Sequence, residues 1–319
     1  MEKYIIRLPP PCRSEIIEDT DTSAQTEALG ESNKDFFDED KPTWTPKGHR
    51  EVFIQDLAVG PRRVTFIARV VNIYDLKNRF ASNDSTGEKR PATGCLKLLV
   101  RDWSGIIQVL LWYLDVEYEI NLGTLLTIWI THVSHANPQP KTGAKLLKTS
   151  IFPEKDQACH VHVIENDLGT VACVPIGYDS SAREKLKGIV KLRNITEAVE
   201  GEARMLVWVK AVRAVTRPQK KGEIVEERNV GIADDTGEAV LYLSGRILHS
   251  AQNWMPNVTV LLLSNVTWKS NGTRAYISAY SQVEINPDME EAEWLRRHAK
   301  RVSAYINEDV PQNGKEKCV

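Results

Sequence analysis

The sequence predicts an all-β chain with little helix: two tandem five-stranded barrels and a closing C-terminal helix. Three observations carry this. Apolar, β-branched and aromatic residues recur in runs of strand length. A strand–turn–strand unit built on an acidic turn occurs twice, about 131 residues apart, as Arg101-Asp102-Trp103-Ser104-Gly105 and Asp234-Asp235-Thr236-Gly237. That spacing is a domain duplication, not a solenoid period. Helical charge order, glutamates first and arginines last, is confined to 289–301 near the end of the chain.

In chain order, 64–74 is too rich in β-branched and aromatic residues for a helix and reads as the first strand. A polar loop, 77–93, follows. Strands at 96–101 and 106–113 flank the first acidic turn, and short helical capacity lies near 115–120. Strands at 125–133 and 146–152 complete a small antiparallel barrel. The order then repeats with strands at 204–215, 228–233, 239–243, 258–266 and 274–283. The domain organisation expected is an acidic arm (1–48), a first barrel (49–165), a linker (166–187), a second barrel with its helix (188–301) and a tail (302–319).

With 319 residues, 42% of them hydrophobic, the chain has material for two cores. No apolar run reaches the ~18–20 residues of a membrane span, and residues 1–13 hold no signal-peptide core. A soluble intracellular protein without a membrane partner is expected. Five scattered cysteines without a CxxC pair fit a reducing compartment. The net charge of −2 combines net −4 over 1–50 (7 basic, 11 acidic) with net +2 over 51–160 (13 basic, 11 acidic). A nucleic-acid site here is therefore a local groove, since nothing in the overall charge draws in a phosphate backbone.

No P-loop, HExxH or Ser-His-Asp signature appears. Asp102, Asp234 and Asp235 sit in tight turns, where aspartate caps the backbone. No catalytic residue is expected, and the chain does not read as an enzyme. Cys159, His160 and His162 with Cys173 match no zinc-ligand spacing, so neither a metal nor a cofactor is expected.

The segment "SQVEINPDMEEAEWLR" (281–296) resembles the end of the second DNA-binding OB domain of the replication protein A large subunit, through Asn286, Pro287, Asp288, Glu291, Ala292 and Leu295. "ARVVNIYDLK" is similar to the opening strand of that family's first DNA-binding OB domain, at Arg69, Val70, Asn72 and Lys77, and "RDWSGIIQVLLW" to its turn and third strand. "AQNWMPNVTVLLLSNV" (251–266) resembles the family's meiosis-specific OB-domain paralogue. The resemblance covers about residues 50–300. It implies a nuclear single-stranded DNA-binding protein of recombination, repair or replication, with protein partners from a replication protein A-type or meiotic complex. The alternative is an OB-fold interaction scaffold with little DNA affinity of its own. The family's zinc-bearing third DNA-binding domain has no counterpart here. Its third-strand aromatic is missing near Ser244 and Gly245, and its fifth-strand aromatic near Lys145 and Leu146.

An OB groove stacks bases on aromatics and holds phosphates with Lys and Arg. Trp112 is the first stacking candidate: it falls on the family's third-strand aromatic, and period-2 alternation turns it outward if Leu111 points inward. Trp268, in the loop before 270–272, is the second. The expected phosphate contacts are Arg69, Lys77 and Arg79 in the first unit, and Arg213, Arg217, Arg228 and Arg274 in the second, with Lys220 and Lys221 weaker. Trp103, Trp129, Trp208, Trp254 and Trp294 are expected in the core or in interfaces.

Overall fold

The computed structural model describes residues 44–76, 92–115, 118–136, 146–164, 174–179, 186–197, 203–220, 223–269 and 273–308. These belong to one compact unit, Pro42–Val319. Lys77, Arg79, Lys221 and Cys173, with most of the expected arm, linker and tail, lie outside the described residues.

The first unit is a closed barrel. Its strands are β1 (Arg50–Glu51), β2 (Gly60–Asp75), β3 (Gly94–Arg101), β4 (Ile106–Tyr113), β5 (Leu125–His135), β6 (Leu147–Ile151) and β7 (His160–Ile164). The ring runs β2-β3-β4-β6-β5 and closes through β2–β5 pairing. The 16-residue β2 serves two neighbours: its first half pairs with β5 and its second half with β3. An irregularity between Val70 and Asn72 accompanies the change of partner, and Val70 and Val71 are both fully buried. Alternation fixes the inside: Leu96, Leu98 and Val100 on β3 face Ile107, Val109 and Leu111 on β4 in one core. Gly94 is required where it sits, because an added Cβ would lie 2.3 Å from the Tyr113 ring.

The second unit contributes β8 (Arg204–Val212), the small hairpin β9 (Gln219–Lys220) and β10 (Glu223–Ile224), then β11 (Glu227–Asp234), β12 (Gly237–Ser244), β13 (Val260–Ser264), β14 (Thr267–Lys269), β15 (Arg274–Tyr276) and β16 (Gln282–Ile285). Its main sheet has the order β14-β15-β12-β11-β8-β13-β16 and is open by hydrogen bonding. The expected strand at 258–266 ends at Ser264 as β13, because Asn265 adopts a φ of 56°, a conformation asparagine tolerates, and a separate β14 follows it where a loop was expected. The expected strand at 274–283 divides into β15 and the start of β16. The sequence reading missed β7, β14 and the two-residue strands β1, β9 and β10, and no helix forms among the described residues of 115–120.

The duplication extends to hydrogen bonds. In the first unit Asp102 Oδ2 accepts from Ile54 N, and its Oδ1 accepts from Ser104 N and Gly105 N. In the second, Asp234 Oδ2 accepts from Leu192 N, and its Oδ1 accepts from Thr236 N and Gly237 N. The aspartates therefore cap turns, as the sequence predicts.

The closing helix α1 (Glu290–Glu308) runs further than the expected 289–301. Asn286 sets its entry: the residue has a φ of 49°, its side chain accepts from Val260 N at 3.0 Å, and its own N–H donates to Val260 O. Met289, Ala292, Leu295 and Ala299 then pack on Leu206, Trp208, Val260 and Leu262.

The two units meet through polar contacts. Arg101, 1% exposed, pairs with Glu284 of β16 and donates to Val174 O. Asn72 Nδ2 donates to Ser278 O and Ser281 O. Leu122 N donates to Ser250 Oγ, and Arg246 to Tyr118 O. Burial pushes the Glu284 carboxyl up, against the pull of Arg101, Arg204 and Arg69.

Candidate nucleic-acid interface

On the first barrel the outward rows of β3, β4 and β6 form one face. Cα pairing sets Trp112 beside Cys95, Leu110 beside Lys97 and Ser150, and Gln108 beside Leu99 and Lys148. Cys95, Leu99 and Gln108 are buried, so the accessible part of the face is Lys97, Leu110, Trp112, Lys148 and Ser150. Leu111 is fully buried and Trp112 half-buried, so the alternation argument holds. The indole Nε1 of Trp112 donates to Ser150 Oγ at 2.9 Å, which fixes the ring against β6. No aromatic stands on the outward positions of β6, which are Lys148 and Ser150.

On the second unit the corresponding face lies on β12, β15 and β14. Parallel pairing places Val240 beside Arg274 and Tyr242 beside Tyr276, and the two tyrosine rings lie 5.1 Å apart. Lys269 Nζ stands 4.8 Å from the Tyr276 centroid, and Arg274 is exposed next to it. Inward neighbours Leu241 and Ala275 are fully buried.

Residues 277–281 bridge the two faces. Tyr280 lies across the junction with its ring 5.6 Å from Lys97 Nζ of the first barrel. The same segment is held by the Asn72 bonds to Ser278 and Ser281. Trp112, Lys97, Tyr280, Tyr276, Tyr242, Lys269 and Arg274 thus form rings and cations along both units, a composition suited to stacking unpaired bases while neutralising their phosphates.

The structure redistributes several expected site residues. Arg69 is 7% exposed and donates to Gly123 O at 2.8 Å within the first barrel, close enough to Glu284 of the second unit to pull on its carboxyl, so its guanidinium is held in the interior. Arg228 has the inward parity of Val230 and Ile232, is buried, and its Nε has no hydrogen-bond partner among the described residues. Trp268 pairs with inward Ala275 and packs against the core instead of forming a groove wall. Arg217 is exposed and ion-paired with Glu226, and Arg213 is exposed just beyond β8. Of the expected set, Trp112 and Arg274 stand on the two faces. Trp129, Trp208 and Trp254 are buried as expected, whereas Trp103 and Trp294 are 40% and 41% exposed.

Tyr242, Tyr276, Tyr280, Lys97, Lys148 and Lys269 were not singled out from sequence. Alternation through Val240, Leu241, Tyr242 and Leu243 carries a legible signal for Tyr242. Tyr280 has none, because it depends on contact between the units. No group of three or more His, Cys, Asp or Glu placed to hold a metal occurs among the described residues. Cys159 instead contacts Thr131 and Asp156.

The chain matches no protein-family model and no curated protein. Among solved structures it is similar to a replication protein A heterotrimer bound to ssDNA, with a TM-score of 0.49 and 15% identity over 79% of this chain and 55% of that one. The chain thus spans about half the length of that relative. It is also similar to the p204 HINb domain (TM-score 0.31, 13% identity, 71% and 97% coverage). A third is the Ifi202 HINa domain in complex with 20bp dsDNA (TM-score 0.27, 11% identity, 72% and 98% coverage).

Proposed function

We propose that the chain is a single-stranded DNA-binding protein whose two OB-type faces hold one strand, acting by binding and not by catalysis. The row of outward rings and cations from Trp112 through Tyr280 to Tyr242 carries this reading. Each base stacked on an aromatic contributes roughly 1–3 kcal/mol, so a few rings suffice for useful affinity in a chain of net charge −2. Nuclear work in recombination, repair or replication, with a protein partner from the same machinery, is the setting this reading implies. The likeness of 251–266 to a meiosis-specific paralogue makes meiosis the first process to test.

Fluorescence anisotropy with a labelled single strand of about 20–30 nucleotides tests the reading. Four cations line the faces (Lys97, Lys148, Lys269 and Arg274), so log Kd is expected to change with log salt at a slope of about 3 in magnitude. Trp112→Ala should weaken binding by about 1–3 kcal/mol. Absence of binding at low salt would overturn the proposal.

A further inference from the structure

We propose that the edge of the first barrel around Arg50, Arg62 and Arg63 is a docking surface for an acidic peptide segment of a partner protein, anchored by an aromatic or aliphatic side chain. A cleft of about 310 Å³ opens there, lined by Arg50, Val52, Asp56, Leu57, Arg62 and Arg63 among others. The three arginines are exposed, and none has a side-chain ion pair or hydrogen bond among the described residues. Asp56 is the single carboxylate in the lining. Guanidinium forks gathered in this way suit carboxylates, which they bind in bidentate geometry.

Apolar anchoring groups stand beside the cleft. Phe53, next in the chain to the lining residue Val52, meets Trp103 edge to face at 5.3 Å, and the two are 50% and 40% exposed. Val59, between the lining residue Ala58 and Gly60, is 47% exposed. Large rings next to arginines are the composition of interface hot spots.

The duplication supplies an internal comparison. Ile54 N bonds to Asp102 as Leu192 N bonds to Asp234, which makes Phe53 and Trp103 the counterparts of Lys191 and Asp235. In the second unit Lys191 pairs with Asp235, and its ammonium stands 5.8 Å from the ring of Trp294 on α1. That helix opens with Glu290, Glu291 and Glu293. The turn of the second unit therefore carries its own ion pair and meets one aromatic residue of α1. In the first unit the equivalent positions are the aromatics Phe53 and Trp103, with Arg50, Arg62 and Arg63 in the neighbouring cleft and no ion pair between them among the described residues. The complementary segment is accordingly acidic, with an apolar side chain to meet Phe53 and Trp103. The cleft lies on the part of β2 that pairs with β5, and none of its lining residues belongs to β3, β4 or β6.

The test uses the full chain and an array of labelled peptides of Asp and Glu with one or two Phe, Trp or Leu residues, each beside a counterpart with Asn and Gln for the acids. Acidic members should bind and their neutral counterparts should not. Joint Arg50→Ala, Arg62→Ala and Arg63→Ala substitution should weaken peptide binding at least about tenfold, a loss of ~1.4 kcal/mol. Phe53→Ala should weaken it by a similar factor. All four side chains are exposed, so these variants should fold, and their affinity for a single strand should stay within about twofold of the parent. The proposal is overturned if no acidic peptide is preferred over its neutral counterpart, or if the arginine variant binds peptide as well as the parent. It is also overturned if that variant loses single-strand affinity in parallel, since the surface would then belong to a nucleic-acid track.

Discussion

Replacing Tyr276 by alanine separates the face seen in the structure from the one expected from sequence. The ring lies 5.1 Å from Tyr242 and 4.8 Å from Lys269 Nζ, on the outward side of β15. Its removal deletes one base-stacking surface, worth about 1–3 kcal/mol. It also removes the seat of Lys269, although that cation keeps its charge and its place on β14. A weakening of roughly 5- to 150-fold in Kd follows, since each 1.4 kcal/mol is tenfold. Stability should change little, because neighbouring Ala275, not Tyr276, fills the core. The assay is an anisotropy titration at fixed salt, with thermal unfolding followed on the same samples. Trp268→Ala is the informative partner: its ring packs against the core with Nε1 buried, so it should lower the melting temperature while the folded fraction binds normally. If Tyr276→Ala binds within about twofold of the parent and Trp268→Ala loses affinity without losing stability, the face assigned to β12 and β15 is wrong.

Further outcomes are expected elsewhere in the molecule. Glu284→Ala should destabilise the protein by about 3–5 kcal/mol in urea unfolding, because it leaves buried Arg101 uncompensated, whereas Arg101→Met with Glu284→Leu should cost far less. Burial and then repulsion from His162 hold the His160 imidazole below its ordinary value. The unfolded chain therefore takes up this proton first, so stability should fall as pH drops below about 6.5 and through the lowered native value. His160→Gln should flatten that part of a plot of urea midpoint against pH. Burial pushes the thiols of Cys95 and Cys159 up to about 12 and about 11, so peptide mapping should find neither alkylated in the native protein and both alkylated in urea.

Strand positions in the first barrel were legible because apolar, β-branched and aromatic residues gather in runs of strand length, such as 106–113, whose Ile107, Val109, Leu111 and Tyr113 face inward. Trp112 followed from the same parity. The end of β13 at Ser264 was not legible, since a run of β-branched and leucine residues leads into it and only the left-handed backbone at Asn265 breaks the ladder. Arginine was the least readable residue type. Arg69 and Arg274 both sit on strands, yet one is buried beneath Gly123 and the other stands beside Tyr276. The difference lies in which surface the other unit covers, and that is a tertiary property. Arg228 failed for a different reason: its parity was available, but a charge at an inward strand end was read as a charge facing a groove.

Equivalent outer faces of the two units are put to different uses, and this ties the packing to the proposed binding row. Just before the capping aspartate, Trp208 pairs with Ala233 and Val260 in the second unit, while Arg69 pairs with Arg101 and Leu125 in the first. The apolar version of the face receives α1. The version with two arginines instead receives Glu284 of β16 and the Val174 carbonyl. Placing arginines where tryptophan and alanine stand thus makes a seat for the neighbouring unit. That seat lies only a few residues from Tyr280, whose segment Asn72 holds by its backbone carbonyls. Fixing Glu284 and Ser281 limits where Tyr280 can go, and Tyr280 is the ring that joins the two faces across Lys97. A strand binding this row would meet two units already fixed against each other, so less of its stacking energy would be lost to ordering one unit against the other.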